Sequence, residues 1–239
     1  LYGGEDATDN SGVYQYISIR HGGALIGEGN EINGLTLGGV GSGTVIENIE
    51  LIGSEDDGIE IFGGAVNVTN IVIANFDDDG IDLDQAYDGT ISNAVVIMAP
   101  GSDTVFEIDG TEEPNNAIVG EYTIKNVTAY GRSDAAKFDT FGNWKSDATG
   151  FNENVLFVDF PASTTLGGID SDTYDGAGTA PIEGKLNFKD FIVVTSDSKA
   201  TVVGGQVDEA SATWISVSTT RPSSKGADES VFGWTQFFN

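Results

Sequence analysis

The sequence predicts an all-β chain: a single-stranded parallel β-helix, a solenoid whose coils of about 22 residues lengthen toward the C-terminus. Three observations predict it. A unit recurs at a fixed interval: Asn48 to Asn70 is 22 residues, Gly58 to Gly80 is 22, and Asn93 lies 23 beyond Asn70. Each copy holds two short alternating apolar runs, such as Ile49/Leu51 and Ile59/Ile61, which is the period of a half-buried strand. No longer window carries a convincing helical period. A unit this short cannot bury its own apolar face, but stacked at about 4.8 Å on its neighbours it can.

The elements follow in order. Tyr14-Gln15-Tyr16-Ile17-Ser18-Ile19 and Gly34-Leu35-Thr36-Leu37 read as early copies of the two half-motifs. Residues 45–61 and 67–83 are the clearest full copies, and 89–97 repeats the first half. Asn48, Asn70 and Asn93 are expected to form a turn ladder, because Asn tolerates left-handed backbone and can bond to the copies above and below. Beyond residue 100 the intervals stretch, with Asn126 at 33 from Asn93 and Asn154 at 28 from Asn126. The polar, Gly-rich segments 110–116, 142–147 and 167–184 read as loops, and 185–194 resumes strand character. The aromatic segment 220–239 is expected to cap the coil stack or dock along it, closing a single domain over 1–239.

Composition bounds the function. The 239 residues hold 38 Asp+Glu against 10 Lys+Arg, a net charge of −28. That balance excludes a nucleic-acid footprint and docking on an anionic membrane. No apolar run is long enough to insert in a membrane. With no Cys there is no disulfide, thiolate metal site or Cys nucleophile. The single His, His21, sits between a strand and Gly22-Gly23 and reads as structural or solvated. The acidity favours an extracellular or cell-surface, secreted protein.

Several stretches carry a resemblance. Asp78-Asp79-Gly80-Ile81-Asp82, the Asn-Ile/Val strands and the period resemble right-handed parallel β-helix proteins of the pectate-lyase/polygalacturonase type. More narrowly, residues 1–97 are similar to secreted, lipoprotein-like β-helix proteins of marine bacteria. The residues are Leu1-Tyr2-Gly3-Gly4, Ser18-Ile19-Arg20-His21-Gly22-Gly23, Asn30-Glu31-Ile32-Asn33-Gly34-Leu35-Thr36-Leu37 and, near the C-terminus, Gly226-Ala227-Asp228-Glu229-Ser230-Val231-Phe232. That group carries no assigned activity, and its members have further coils before the Leu-Tyr-Gly-Gly position. The resemblance thus implies that N-terminal coils are missing here. It implies a polysaccharide-cleaving activity only in part. Asp78-Asp79 matches the paired Asp of polygalacturonases, but His21 precedes the pair and no Arg-x-Lys follows it.

Alignment by the glycines stacks the acidic residues. Asp57 falls on Asp79, Asp56 on Asp78, and Glu60 on Asp82. Phe106-Glu107-Ile108-Asp109 puts Glu107 over Asp82 and Asp109 over Asp84; Ala136-Lys137-Phe138-Asp139 then puts Lys137 and Asp139 in the same two columns. Like charges on neighbouring strands repel and must be protonated, screened or bound to a cation. Calcium takes six to eight oxygen ligands, so Asp56, Asp57, Asp78 and Asp79 are its expected site. The alternative is that they are solvated turn residues with Asp-Gly chosen for turn geometry. For polysaccharide cleavage the candidates are Asp82, Asp84, Glu107 and Asp109 as carboxylates and Arg132 or Lys137 as base of a calcium-assisted lyase. Lys137 also reads as a salt-bridge partner of Asp109. Trp144, Trp214 and Trp234 read as core anchors before sugar platforms. The sequons at Asn67 and Asn126 fall within expected strands. The function read from the whole is a calcium-stabilised surface or matrix protein that binds polysaccharide or copies of itself; the rival is a polysaccharide lyase or glycoside hydrolase.

Overall fold

The structure, a computed structural model, describes residues 4, 6–27, 30–111, 120–132, 140–170, 173–176 and 180–239. Its strands in chain order begin with β1 (Val13–Arg20), β2 (Ala24–Gly27), β3 (Asn30–Ile32), β4 (Leu35–Gly38) and β5 (Val45–Ser54). Next come β6 (Ile59–Phe62), β7 (Asn67–Phe76), β8 (Ile81–Asp84), β9 (Thr90–Ile97), β10 (Phe106–Asp109) and β11 (Tyr122–Tyr130). The last are β12 (Gly142–Lys145), β13 (Gly150–Val158), β14 (Tyr174–Gly176), β15 (Leu186–Val194) and β16 (Ile215–Ser218). One five-residue helix, α1 (Lys199–Val203), interrupts them. No helix among the described residues is long and apolar enough to cross a membrane.

A large sheet runs β1-β5-β7-β9-β11-β13-β15-β14, with β16 also on β15, and a small sheet runs β4-β6-β8-β10-β12. The chain alternates between them, and each strand pairs in parallel with its counterpart one coil away. This is a parallel β-helix. Only the β2–β3 hairpin is antiparallel among the described strands.

The register turns the sequence repeat into columns. Ile49, Ile71, Ala94, Val127, Val155 and Phe191 stand above one another in the large sheet. All are buried to 2% exposure or less. Full burial of such a side chain contributes about 1.5–3 kcal/mol, so the stack is held mainly by its interior. The filling changes along the axis. Early coils are aliphatic, whereas late coils interlock rings: Trp214 stacks on Phe188 at 4.6 Å and Trp144 meets Phe188 edge-on at 5.1 Å. Trp144 and Trp214 are thus core residues, and neither offers a free face to a sugar.

The long strands share a column of left-handed residues. Asn48, Asn70, Asn93, Asn126 and Asn154 have φ between 55° and 58°, and Tyr16 and Asp190 continue the column at either end. Asn70 Nδ2 donates to Asn48 Oδ1 at 3.1 Å, and Asn93 Nδ2 to Asn70 Oδ1 at 2.7 Å. The sequon residue Asn126 lies in this ladder and accepts from Asn154 Nδ2 at 2.7 Å. Asn67 is exposed at the start of β7. Asn70→Ala should cost about 2–3 kcal/mol in chemical denaturation, combining the left-handed penalty with the lost bonds. Asn70→Gly should recover the backbone part only.

Two loop expectations are corrected. Gly142-Asn143-Trp144-Lys145 is strand β12, because Phe141 and Trp144 supply interior rings that hold it in the small sheet. The stretch 167–184 contains β14 and a parallel bridge from Ile169 to Trp144. The helix α1 was not legible as a helix. Ser198 caps it, Gly204 ends it in left-handed conformation, and its Val202 and Val203 are buried beside Leu166.

Candidate metal centre

Four strands and the turns before them build an acidic strip. In the small sheet Glu60, Asp82 and Glu107 stand in register on β6, β8 and β10. The preceding turns stack in the same way. Gly34 N–H donates to Asp57 O at 2.9 Å, Gly58 N–H to Asp79 O at 2.8 Å and Gly80 N–H to Thr104 O at 3.0 Å. The resulting column is Asn33, Asp57, Asp79 and Thr104. A second column holds Asp56, Asp78 and Asp103.

The glycines are there for space. Neither Gly58 nor Gly80 has positive φ. A Cβ on Gly58 would stand 2.1 Å from Ile73 Cγ2, and one on Gly80 would stand 2.7 Å from Val96 Cγ1. The turn therefore presses flat on the core and packs its aspartates against the neighbouring coils, where Asp57 accepts from the Asp79 N–H and Asp79 from the Thr104 N–H. Asp56, Asp57, Asp79 and Asp82 are 8%, 6%, 3% and 8% exposed. That burial corrects the solvated-turn reading at Asp56, Asp57 and Asp79, whereas Asp78 is not buried and fits it; the φ values correct the turn-geometry explanation of the Asp-Gly pairs.

The electrostatics follow from crowding and burial. Burial pushes the Asp82 carboxyl up to about 10, reinforced by Asp57, Asp84, Glu60 and Glu107. Burial pushes Asp57 up to about 8, with Asp56, Glu60 and Asp78 adding and the Asp79 N–H opposing. Glu60 rises to about 7 through burial, although Asn33 donates to it. Asp79 and Glu107 are hydrogen-bonded to each other. Burial raises Asp79, which keeps the proton. Burial also pushes Glu107 up, but its bonds with Asp79 and Lys145 outweigh this and hold it low. Asp79 also accepts from Thr104 N–H at 2.8 Å and from the Thr104 hydroxyl.

Among the described residues, four sets of carboxylates have oxygens within 4.8 Å of one another. They are Asp56/Asp57/Asp78, Asp57/Glu60/Asp82, Asp78/Asp79/Asp103 and Asp82/Asp84/Asp109. Two buried oxygens in the strip, Asp82 Oδ1 and Asn33 Oδ1, accept no hydrogen bond. An unmet buried acceptor costs about 1–3 kcal/mol, and a cation meets it. The donor set is oxygen only, the set that hard divalent cations such as calcium take.

A family model for the pectate-lyase like beta helix domain matches residues 1–238. The chain belongs to that family. Comparison with curated proteins and with solved structures found no match. Within this pectate-lyase-like framework the expected sites fall as follows. Asp56, Asp57, Asp78 and Asp79 come together in the turns, and Asp82, Asp84, Glu107 and Asp109 on the small sheet beside them. Arg132 is exposed in the turn after β11. Lys137 and Asp139 lie outside the described residues. The columns assigned to them are taken by Asn143, opposite Glu107, and Lys145, opposite Asp109. Lys145 Nζ lies 3.3 Å from Asp109 Oδ2 and also pairs with Glu107. His21 is exposed at the end of β1 and belongs to none of the four carboxylate sets.

Sequence reasoning missed Asn33, Asp103, Thr104 and Lys145. The signal was present for the first three. Asn33-Gly34-Leu35 matches Asp57-Gly58-Ile59, and Asp103-Thr104-Val105-Phe106 matches Asp78-Asp79-Gly80-Ile81.

Proposed function

We propose that this chain is an extracellular, calcium-stabilised β-helix that works as a cell-surface or matrix binding protein with a polysaccharide partner. One observation carries the reading: buried, mutually repelling carboxylates with two unmet oxygen acceptors, an arrangement that a calcium ion would neutralise. Asp57, Glu60 and Asp82 supply carboxylate oxygens and Asn33 a neutral one; Asp56, Asp78 and Asp79 supply the adjoining turn oxygens. Bound calcium would supply local positive charge, letting an acidic surface approach an anionic sugar chain. The pectate-lyase-like fold supports a carbohydrate-related role, and one fold hosts many activities.

A second reading has its own observation. Asp79 holds a proton beside ionised Glu107, and carboxyls driven apart in this way serve as acid and base in hydrolysis. Asp79 is nearly inaccessible at 3% exposure, which favours binding over turnover. A screen on anionic and neutral polysaccharides, with and without calcium, separates the two. The binding reading expects calcium-dependent retention without new chain ends. Release of sugar products, lost in Asp82→Asn, would move the assignment to a lyase or hydrolase.

A further inference from the structure

A solenoid couples each coil to its neighbours, so its distant coils are joined only through the stack between them. The C-terminal segment of this chain departs from that rule. It runs back along the outside of the large sheet. Lys225 Nζ pairs with Asp190 at 2.9 Å, and Gly226 N–H donates to Asn154 Oδ1 at 3.0 Å. Ala227 N–H donates to Thr128 Oγ1 at 2.9 Å, and Asp228 N–H to Asn93 Oδ1 at 2.6 Å. Gln236 N–H then reaches Glu50 Oε1 at 2.5 Å, and its side chain accepts from Arg20 Nη1 at 2.8 Å. As the tail advances from 225 to 236, its partners step back from β15 through β13, β11, β9 and β5 to β1.

Three features fit the sheet to this segment. Val72 and Val95 point outward from β7 and β9, and both are completely buried under Phe232, itself completely buried. Gly226 has φ 83°, and a Cβ there would stand 2.3 Å from Thr128 Oγ1, so the tail backbone lies flat on the sheet. Glu50, on the outward face, is 1% exposed because the tail covers it. It accepts from Ser18 Oγ at 2.6 Å, Arg20 Nη2 at 2.9 Å and the Gln236 N–H. Trp234 adds an edge contact to Tyr16 at 5.6 Å.

We propose that residues 221–238 are a clasp that fastens the first coils to the rest of the solenoid, so that β1 and β5 open together with β13 and β15 and not ahead of them. The segment bonds to the ladder asparagines Asn93 and Asn154, so it reads the regular edge of the stack. Its last residues close on Glu50 and Arg20, which ties the edge strand β1 into the body.

Native-state hydrogen exchange on the full chain tests this, with Phe232→Ala to empty the outward apolar contact. In the unmodified protein, the slowest amides of β1 and β5 should exchange at the same rate as those of β13 and β15. In Phe232→Ala, exchange in β1 and β5 should rise at least tenfold while β13 and β15 change less than threefold. Gln236→Pro is the milder variant, removing the N–H that Glu50 accepts and the Arg20 contact near the chain end. It should raise exchange in β1 and β5 alone. Unchanged exchange in β1 and β5 in both variants, or an equal rise in all strands, would overturn the clasp.

Discussion

In the presence of a chelator, the melting temperature should fall as pH is raised from about 4 to about 9, and calcium should restore most of the loss. The sign follows from burial, which favours the protonated carboxyls. Unfolded carboxyls titrate near 4. In the folded chain burial lifts Asp57 to about 8, Glu60 to about 7 and Asp82 to about 10. Groups raised in this way contribute their full stability below the unfolded value and lose it as pH climbs through the folded values. The window is therefore pH 4 to 10, opposite to ordinary acid denaturation. A carboxyl whose pKa rises by one on folding contributes about 1.4 kcal/mol. Even that much from each of three groups gives about 4 kcal/mol, or about 10 °C in a chain of this size. Below pH 4 a different group acts. Burial pushes Glu50 up, but its bonds from Ser18, Gln236 and Arg20 prevail and hold it low, so its contribution is lost as pH falls. Scanning calorimetry across pH, with chelator and with calcium, checks both arms. A melting temperature that rises from pH 5 to pH 9 in chelator would show that these carboxyls are not held protonated in the folded chain.

Asp82→Asn should stabilise the calcium-free protein and weaken its response to calcium. Asp82 stands between Glu60 and Glu107 in the small sheet, with one buried oxygen unmet. The amide has nearly the same shape, carries no charge and offers donors to its acidic neighbours. At pH 8 without calcium the gain should be about 1–3 kcal/mol, several degrees in melting temperature. With calcium present the same variant should lose a ligand and fall behind the unmodified protein. A crossover of this kind is hard to obtain from a purely structural carboxylate. Destabilisation in chelator with an intact calcium response would show that Asp82 is an ordinary core residue.

The repeat was legible because its constraints are local. Asn48, Asn70 and Asn93 must adopt left-handed backbone, and Gly58 and Gly80 must lie flat on the core, so the same residue types recur at a fixed interval. The acidic columns followed from that interval. Where coils lengthen the interval stops deciding register. Ala136-Lys137-Phe138-Asp139 and Gly142-Asn143-Trp144-Lys145 both alternate, and four residues are too few to choose between them. Pairing of β12 with β10, and the packing of Phe141 and Trp144 among Phe106, Phe157 and Phe188, settle the register at long range. Burial was illegible for a related reason. A run such as Asp77-Asp78-Asp79-Gly80 has the composition of an exposed turn, and only the neighbouring coil, whose Thr104 bonds to Asp79, shows that Asp79 is buried. The route of the tail was likewise hidden, since Gly226-Ala227-Asp228 has no periodicity and its partners are 72 to 135 residues away.

If calcium binds the acidic strip, it must displace protons that the buried carboxyls hold. Calorimetric titration of calcium into the chelator-treated protein at pH 7, repeated in two buffers of different ionisation enthalpy, measures binding and proton release together. Saturable binding is expected, with release of at least one proton per calcium, reduced in Asp82→Asn. Absence of binding, or binding with no proton released, would rule out a calcium site built on these protonated carboxyls.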